Sequence, residues 1–188
     1  MKQYFKYLIL FCVLLCSTII SLAQNIDCSS AITFCSGSTV SYPASTGAFS
    51  PVGPDYGCLG TTPNPAFYVF EIDQSGNLNI NMQGTAPGGG GNDIDFICWG
   101  PFSNPATMCN NSNLSAANTV DCSYAPWSNE NCQITGAISG EWYVLLITNF
   151  SNASTTISFS NTGTGTTLCH VNGCTDNTMF NYDPLANT

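Results

Sequence analysis

Polar and apolar residues alternate along much of the chain, and this alternation predicts short β-strands rather than helices. The clearest case is residues 77–82, where Leu78, Ile80 and Met82 alternate with three asparagines. Because successive side chains of a strand point to opposite faces, this segment predicts a half-buried strand with an amide-lined outer face. Residues 155–160 alternate in the same way and predict a second strand of this kind.

Further segments have the composition of strands. Residues 66–72 are aromatic and β-branched, and a turn-forming tetrapeptide at 73–76 links them to the strand at 77–82, which predicts a β-hairpin. Residues 142–147 are almost continuously apolar and predict a central strand of the core. Two other short segments complete the set: 39–42 and 93–99. The sequence therefore predicts an all-β fold, a two-sheet antiparallel β-sandwich of jelly-roll type stapled by disulfides.

The N-terminus has the three parts of a secretory signal peptide. Lys2 and Lys6 form a basic region, residues 8–20 are apolar but short for a membrane span, and small residues precede a cleavage point after Ala23. Residues 1–23 are therefore predicted to be a signal peptide, and the protein is expected to be secreted or held at the cell surface.

A lipoprotein signal is the alternative interpretation of the same segment, because Cys16 follows two leucines. The residue before a lipidated cysteine is normally small, and Leu15 is not. The sequence therefore favours free secretion over a lipid anchor.

The charge distribution excludes several classes of partner. The chain of 188 residues has 11 acidic and two basic residues, and both basic residues, Lys2 and Lys6, lie in the predicted signal peptide, so residues 24–188 carry a formal charge of −11. Binding to a phosphate backbone requires Lys or Arg, so nucleic acid is excluded as a partner, and the same argument excludes anionic membranes. No later segment is long and apolar enough to insert into a membrane. Calcium is the extracellular cation best suited to offset such a charge.

The cysteine content agrees with export. Two of the 11 cysteines lie in the predicted signal peptide, so nine remain, and in an oxidising compartment these predict a disulfide framework. Zinc is disfavoured because residues 24–188 contain no CxxC pair and His170 is the lone histidine. Eight cysteines are predicted to pair within the sandwich: Cys28, Cys35, Cys58, Cys98, Cys109, Cys122, Cys132 and Cys169. Three of these, Cys109, Cys122 and Cys132, are positioned to staple the long polar loop predicted at 101–131.

The composition changes after residue 162. Residues 24–162 are predicted to form the sandwich and residues 163–172, which begin with a Gly/Thr run, are predicted to be a linker. Residues 173–188 are predicted to start a separate unit. Cys174 belongs to that unit and has no predicted partner in the chain.

The last unit carries the first resemblance to known proteins. Residues 173–187 read GCTDNTMFNYDPLAN, which resembles the start of an acidic repeat common in secreted and surface proteins of the Bacteroidetes. That repeat is similar to the calcium-binding thrombospondin type 3 repeats, so the resemblance implies calcium ligands at Asp176, Asn181 and Asp183. It also implies that the chain is the N-terminal part of a longer polypeptide, whose downstream domains supply a partner for Cys174.

Four motifs in the predicted sandwich carry a second resemblance. They read YGCL at 56–59, PNPAFY at 63–68, GNDIDFICWGPF at 91–102 and YVLLITNF at 143–150. In this order they resemble the N-terminal domains of large Bacteroidetes surface proteins, which often carry adhesion modules and a type IX secretion signal. More distantly the pattern is similar to bacterial pre-peptidase C-terminal domains, which are β-sandwiches. The resemblance implies an accessory module and supplies no ligand.

Asn92, Asp93 and Asp95 are the strongest candidate for a metal site in the sandwich. Alternate residues of a strand share a face, so the two carboxylates lie side by side and repel each other unless a cation, calcium for instance, bridges them. The alternative is a solvated strand end whose aspartates cap loop amides. A glycosidase pair would also use two carboxylates, but it requires an acid of raised pKa in a cleft, which the sequence does not indicate.

Exposed aromatic residues are the other candidate for a binding surface. Trp99, Trp127, Trp142, Tyr56 and Tyr124 could form a platform for sugars, although packing inside the fold is the favoured interpretation of these residues. Trp127 is the residue most expected to be exposed, and Trp127 with Tyr124 is the candidate pair for carbohydrate. The chain contains no GxSxG, HExxH or phosphate-binding loop, so it is predicted not to be an enzyme.

These features together predict a function. The chain is expected to be a non-enzymatic extracellular interaction or adhesion module that binds a protein or glycan, at the N-terminus of a larger secreted or surface protein. A carbohydrate-binding accessory module of a secreted hydrolase is the alternative. A spacer that displays downstream repeats is a third interpretation.

Overall fold

The computed structural model describes residues 25–169 and residue 178. The predicted signal peptide and the candidate calcium ligands Asp176, Asn181 and Asp183 lie outside the described residues. Within them, the chain forms ten β-strands and a single α-helix of four residues. No helix in this part of the chain is long and apolar enough to cross a membrane.

The strands are distributed over the whole described segment. In chain order they are β1 (Ile32–Thr33), β2 (Val40–Pro43), β3 (Pro65–Gln74), β4 (Gly76–Thr85), β5 (Asp95–Phe102), β6 (Thr119–Ser123), β7 (Asn129–Ala137), β8 (Trp142–Thr148), β9 (Thr156–Asn161) and β10 (Thr166–Thr167). The helix α1 is Pro105–Met108, and Cys28–Ser30 and Ala116–Asn118 form single 3-10 turns.

Two sheets face each other. The first sheet has the order β1-β3-β8-β5-β6, with β10 also paired to β3, and the second has the order β2-β9-β4-β7. All of these pairings are antiparallel except that of β1 with β3. The predicted two-sheet β-sandwich is therefore confirmed, whereas this strand order does not establish jelly-roll connectivity.

The predicted hairpin between residues 66–72 and 77–82 is wrong, because β3 and β4 belong to different sheets. β3 pairs with β8, whereas β4 pairs with β7 and β9. The reason lies in which faces of each strand are apolar. β3 is apolar on both faces and belongs in a sheet that is buried on both faces. The asparagines of β4 require a sheet with one face exposed to solvent.

The first sheet is buried on both faces. Its inner face packs against the second sheet through residues such as Tyr68, Phe96 and Leu145. Its outer face carries a second apolar cluster, which includes Trp99 and Leu146 and is covered by residues of the irregular segments: Leu59, Met108 and Leu114. This double burial explains why the central strand β8 is an unbroken apolar run.

The segment predicted as a long loop, 101–131, is more structured than expected. It contains α1 and β6 and the start of β7, and its first half belongs to the cover of the outer face. Two disulfides hold this cover, Cys28–Cys109 and Cys58–Cys122, which span 81 and 64 residues of sequence. Disulfide stapling of the sandwich is thus confirmed for these two pairs.

The other four cysteines of the predicted framework are thiols in this structure and lie as two neighbouring pairs. Cys98 on β5 and Cys132 on β7 are both fully buried between the sheets, and their side chains are hydrogen-bonded. Burial and a hydrogen bond to Cys169 raise the pKa of Cys35 to about 11. Pairing of all eight cysteines therefore stays a prediction, with partners that the fold has already brought together.

The boundary between the sandwich and the predicted linker lies later than the composition indicates. Thr166–Thr167 forms β10 against β3, and the backbone N–H of Leu168 donates to the carbonyl of Glu71 at 2.8 Å. Gly163 lies so close to β4 that an added Cβ would be 2.1 Å from the carbonyl oxygen of Asn77. The first residues of the predicted linker 163–172 are therefore packed parts of the sandwich.

Candidate binding site

A pocket of about 340 Å³ opens at one end of the first sheet. We call it the Asp95 pocket, after the first residue of β5. Four separate segments bring its walls together, because Asp95 pairs with Thr148 at the end of β8, Tyr124 follows β6 and Phe150 follows β8. The lining residues are Gly60, Thr61, Asp95, Tyr124 and Phe150.

Asp95 is a buried residue whose carboxyl group lines the pocket and has no hydrogen-bond partner among the described residues. The residue is only 4% exposed, and its side chain makes no hydrogen bond to any described residue. Thr148, paired directly across the sheet, is fully buried and its hydroxyl also lacks a partner in the described part of the chain. A buried polar group without a partner destabilises a fold by about 1–3 kcal/mol, and a charged one by more. The fold therefore retains Asp95 at a cost in stability.

Several acidic side chains lie close together at this end of the first sheet, and their charges add to the effect of burial on the pKa values of Asp95 and Glu130. Burial, followed by the charges of Asp93 and Glu130, raises the pKa of Asp95 to about 7. Burial also raises the pKa of Asp93. It raises that of Glu130 as well, with further increases from Asp93 and Asp121 and a partial offset from its hydrogen bond with Ser123. Since residues 24–188 contain no Lys or Arg, the described residues supply no basic side chain to the cluster.

This arrangement predicts a pH-dependent stability. The folded-state pKa of Asp95 lies above its ordinary value of 3.8, so the folded protein binds this proton more tightly than the unfolded chain does. The free energy of unfolding should therefore rise as the pH falls from about 8 to about 5, and Asp95→Asn should raise it at the upper pH with little effect at the lower. Urea unfolding at both pH values measures this. Parallel pH profiles for the two proteins would contradict it.

Asn92 and Asp93 lie just before β5 and tie it to the loop that follows β8. The backbone N–H of Asp93 donates to the Ser151 hydroxyl at 2.7 Å, and the N–H of Ser151 donates back to the carbonyl of Asp93 at 3.2 Å. The Asn92 side chain donates to the hydroxyl of Thr155 at 2.7 Å and the carbonyl of Ser154 at 3.1 Å. These contacts give Asn92 and Asp93 a structural role in holding the two segments together. One carboxylate oxygen of Asp93 is nevertheless buried without a partner.

The calcium prediction for Asn92, Asp93 and Asp95 receives no support from this geometry. Among the described residues, no three acidic, cysteine or histidine side chains are grouped so as to hold a metal ion. Two carboxylates do not complete the six to eight oxygen ligands that calcium takes. The calcium site stays a prediction, and no mechanistic step is derived through it.

Exposed aromatic side chains gather around the Asp95 pocket. Tyr124 is 70% exposed and Trp127 is 65% exposed, and the carbonyl of Trp127 accepts a hydrogen bond of 3.2 Å from the N–H of Ile94, beside the start of β5. Phe150 is exposed in the pocket wall, and the exposed Phe49 forms a β-bridge with Pro63. These four are all of the large exposed aromatic residues in the described chain. An aromatic end of this kind is typical of a recognition surface.

Buried amide side chains fix the loop that carries Phe150. The Asn149 side chain, fully buried, donates to the carbonyls of Ser45 at 3.0 Å and Ala153 at 2.8 Å. Asn64, buried and at a φ of +52°, donates to the Asn149 carbonyl at 3.0 Å. This network gives a physical role to two asparagines of the motifs at 63–68 and 143–150. The sequence analysis did not single them out as determinants of the pocket.

The sequence analysis found part of this site. It named Asp95 and Tyr124 for two separate purposes, metal and carbohydrate, and the structure brings them into one pocket. Thr61 was not predicted as a site residue, and Phe150 was noted only as the end of the motif at 143–150. Residues of irregular loops carry no periodic signal, so only the motifs around them could have drawn attention to them.

Comparison with known proteins does not show a family for this chain. No family model matches the chain and no curated protein matches it. Among solved structures the chain is similar to the pre-peptidase C-terminal domain of a collagenase from Bacillus anthracis, with 13% identity over 70% of this chain and 91% of that chain and a TM-score of 0.37. That domain is of the class that the sequence motifs distantly resemble. A likeness this low carries no conclusion about the pocket, and the Bacteroidetes resemblance stays a prediction.

Proposed function

We propose that the chain is a non-enzymatic interaction module of a secreted or cell-surface protein, which binds its partner through the Asp95 pocket and the aromatic residues around it. One observation carries the proposal. All four large exposed aromatic residues of the described chain lie at the end of the sandwich where the carboxyl group of Asp95 lines a pocket. Aromatic side chains around a polar anchor are the residues that dominate binding energy in interfaces.

The framework of the domain supports an extracellular setting. Disulfides persist in oxidising compartments, and here two of them hold the cover of the first sheet. The signal peptide, the surface location and the downstream domains of the same polypeptide are part of this proposal. They rest on the sequence of the two ends of the chain.

Catalysis by the Asp95 pocket is a weaker interpretation. The raised pKa of Asp95 is one property of a general acid. Glycoside hydrolysis needs a second carboxylate facing the substrate, however, and Asp95 is the one acidic residue that lines this pocket. The residues that surround it are suited to holding a ligand rather than to transforming one.

The proposal predicts that binding depends on the aromatic end. We expect the double variant Tyr124→Ala with Trp127→Ala to weaken binding by at least about tenfold, because truncated interface anchors typically lose 2 kcal/mol or more. The measurement is the binding of the purified protein to an array of extracellular proteins and glycans. Ile138→Ala is the matched control, since Ile138 is also exposed but lies in the turn between β7 and β8. Equal binding by the double variant would exclude this surface.

Carbohydrate is the second candidate for the bound partner. Tyr124 offers an exposed ring beside a carboxyl group that can accept hydrogen bonds from sugar hydroxyls. In this case, binding on the array would be confined to glycans and would be lost on Trp127→Ala or Tyr124→Ala. An array on which only proteins bind would exclude this candidate.

A further inference from the structure

The Asp95 pocket contains an acidic group that no basic side chain of the described residues offsets. Asp95 is 4% exposed, makes no hydrogen bond to a described residue and lines the pocket wall. The neighbouring charges are Asp93 and Glu130, both of the same sign. Residues 24–188 contain no Lys or Arg that could reach it. A buried charge that lacks a partner is costly, so the pocket favours a ligand that brings a positive charge.

We propose that the Asp95 pocket binds the side chain of a lysine or arginine presented by a partner protein. This inference rests on the proposed function and names the chemistry of the partner at the same site. The cation would pair with the Asp95 carboxylate at the base of the pocket. The rings of Tyr124 and Phe150 would flank it, because the faces of aromatic rings attract organic cations.

The walls of the pocket distinguish an organic cation from a metal ion. Calcium would need six to eight oxygen ligands, and the pocket offers one carboxylate. Two of the five lining residues are aromatic. The ring of Phe150 provides no ligand to a metal, and the phenol of Tyr124 is not among the carboxylate, carbonyl and water oxygens that calcium takes. The two rings provide both apolar contact and cation–π attraction to the methylene stem and charged head of a basic side chain.

Charge and size distinguish a basic side chain from a sugar. Sugar hydroxyls would satisfy the hydrogen bonds of Asp95, but they would leave its charge without a counter-ion in a buried place. The volume of about 340 Å³ lies at the small end of the range for ligand pockets. That volume suits one inserted side chain, with the rest of the partner lying on the exposed Trp127 and Phe49.

The long-range electrostatics of the chain point to the same partner. A formal charge of −11 on residues 24–188, with no basic residue, creates a field that repels acidic proteins and attracts basic ones. Such complementarity mainly raises the association rate and makes it sensitive to salt. The long-range attraction would bring a basic partner to the surface, and the Asp95 carboxylate would then bind one of its side chains.

The test uses small probes whose charge is varied at constant shape. Nα-acetyl-lysine methylamide and Nα-acetyl-arginine methylamide are titrated into the isotope-labelled full protein, next to their neutral counterparts made from norleucine and citrulline. Backbone amide resonances report the site by NMR. At least one cationic probe is expected to shift the resonances of Gly60, Thr61, Asp95, Tyr124 and Phe150 in a saturable way, and the neutral probes are not. Calcium chloride and a panel of monosaccharides are titrated separately.

Two matched variants assign the effect to the buried carboxylate. Asp95→Asn preserves the shape of the side chain and is expected to weaken binding of the cationic probe at least about tenfold. Asp73→Asn removes the same charge from an exposed site. Asp73 lies near the C-terminal end of β3, whereas the pocket lies at the end of the sheet where β3 begins. This variant is expected to bind the probe as the unmodified protein does. Binding that Asp95→Asn leaves unchanged would overturn the proposal.

The remaining outcomes are also decisive. Saturable shifts at the pocket with calcium or a sugar, and none with the cationic probes, would overturn the basic side chain and keep the pocket as a binding site. If no probe shifts the pocket resonances, the basic side chain is overturned as the ligand. The proposed function would survive that result, provided that Tyr124→Ala with Trp127→Ala weakens binding on the array as expected. If that double variant binds normally on the array, the proposed function fails, whichever probe binds.

Discussion

Replacing the pair Cys58 and Cys122 by serine should destabilise the domain by about 4 kcal/mol, the value that loop entropy gives for a cross-link across 64 residues. The disulfide joins the cover of the outer face to β6, at the edge of the first sheet. Without it, the unfolded chain gains freedom and the cover loses its attachment to the sheet.

The segment that covers the outer face packs closely against the first sheet beside the Cys58–Cys122 disulfide. Gly57, next to the disulfide, adopts a φ of +57°, and an added Cβ would lie 2.8 Å from Cδ1 of Ile97 on β5. The chain therefore approaches the sheet as closely as a residue without a side chain allows. If the cover lifts, the outer apolar cluster around Trp99 and Leu146 is exposed to water.

Urea unfolding of the double variant Cys58→Ser with Cys122→Ser measures this effect. Ser112→Ala, at an exposed position of the segment between α1 and β6, is the control and should change the free energy of unfolding by less than about 0.5 kcal/mol. The role assigned to the disulfide is wrong if the double variant and the control unfold at the same urea concentration, or if a reductant leaves the unmodified protein unaffected.

Trp99→Ala should produce a loss of similar size, about 3–5 kcal/mol, because it removes the largest fully buried side chain of the domain. The ring of Trp99 lies parallel to that of Phe67, with centroids 6.5 Å apart, and edge-on to Tyr56 at 6.2 Å. Its indole N–H donates to the carbonyl of Asp55 at 3.2 Å, so it also fastens the cover to the sheet.

Trp127→Ala is the matched control for this prediction. It removes the same side chain from a site that is 65% exposed, where surface substitutions change stability by about 0.5 kcal/mol or less. Thermal and urea unfolding of the two variants compare a buried with an exposed tryptophan in one fold. Similar stabilities would show that the outer cluster contributes little to the fold.

Strand positions were predictable because burial on one face leaves a period of two in the sequence. The segments predicted at 39–42, 142–147 and 155–160 match β2, β8 and β9 to within one or two residues. β7 was not predicted. It is polar over much of its length and buries few residues, such as Cys132 and Ile134, so its period is weak. The separation of β3 and β4 into different sheets depends on which of their faces are covered, and alternation within one strand does not report what lies above it.

The candidate site was predictable in its chemistry and not in its assembly. Asp95 was recognisable as an acidic residue on a strand without basic neighbours, and Tyr124 as an aromatic residue in a polar segment. Their meeting depends on the order of β8, β5 and β6 in the first sheet, which is a property of the whole fold. The absence of hydrogen bonds around Asp95 is likewise visible only in three dimensions.

The attachment of both ends of the sandwich to a single strand has a mechanical consequence. Asn25 exchanges hydrogen bonds with the backbone of Phe67, and Leu168 donates to Glu71, four residues further along β3. Tension between the two ends of the sandwich would therefore act on this short stretch of β3, and also on the direct bond in which the Thr167 hydroxyl donates to the carbonyl of Phe34 at 2.9 Å. A pull on the two ends of the sandwich would therefore load these contacts first.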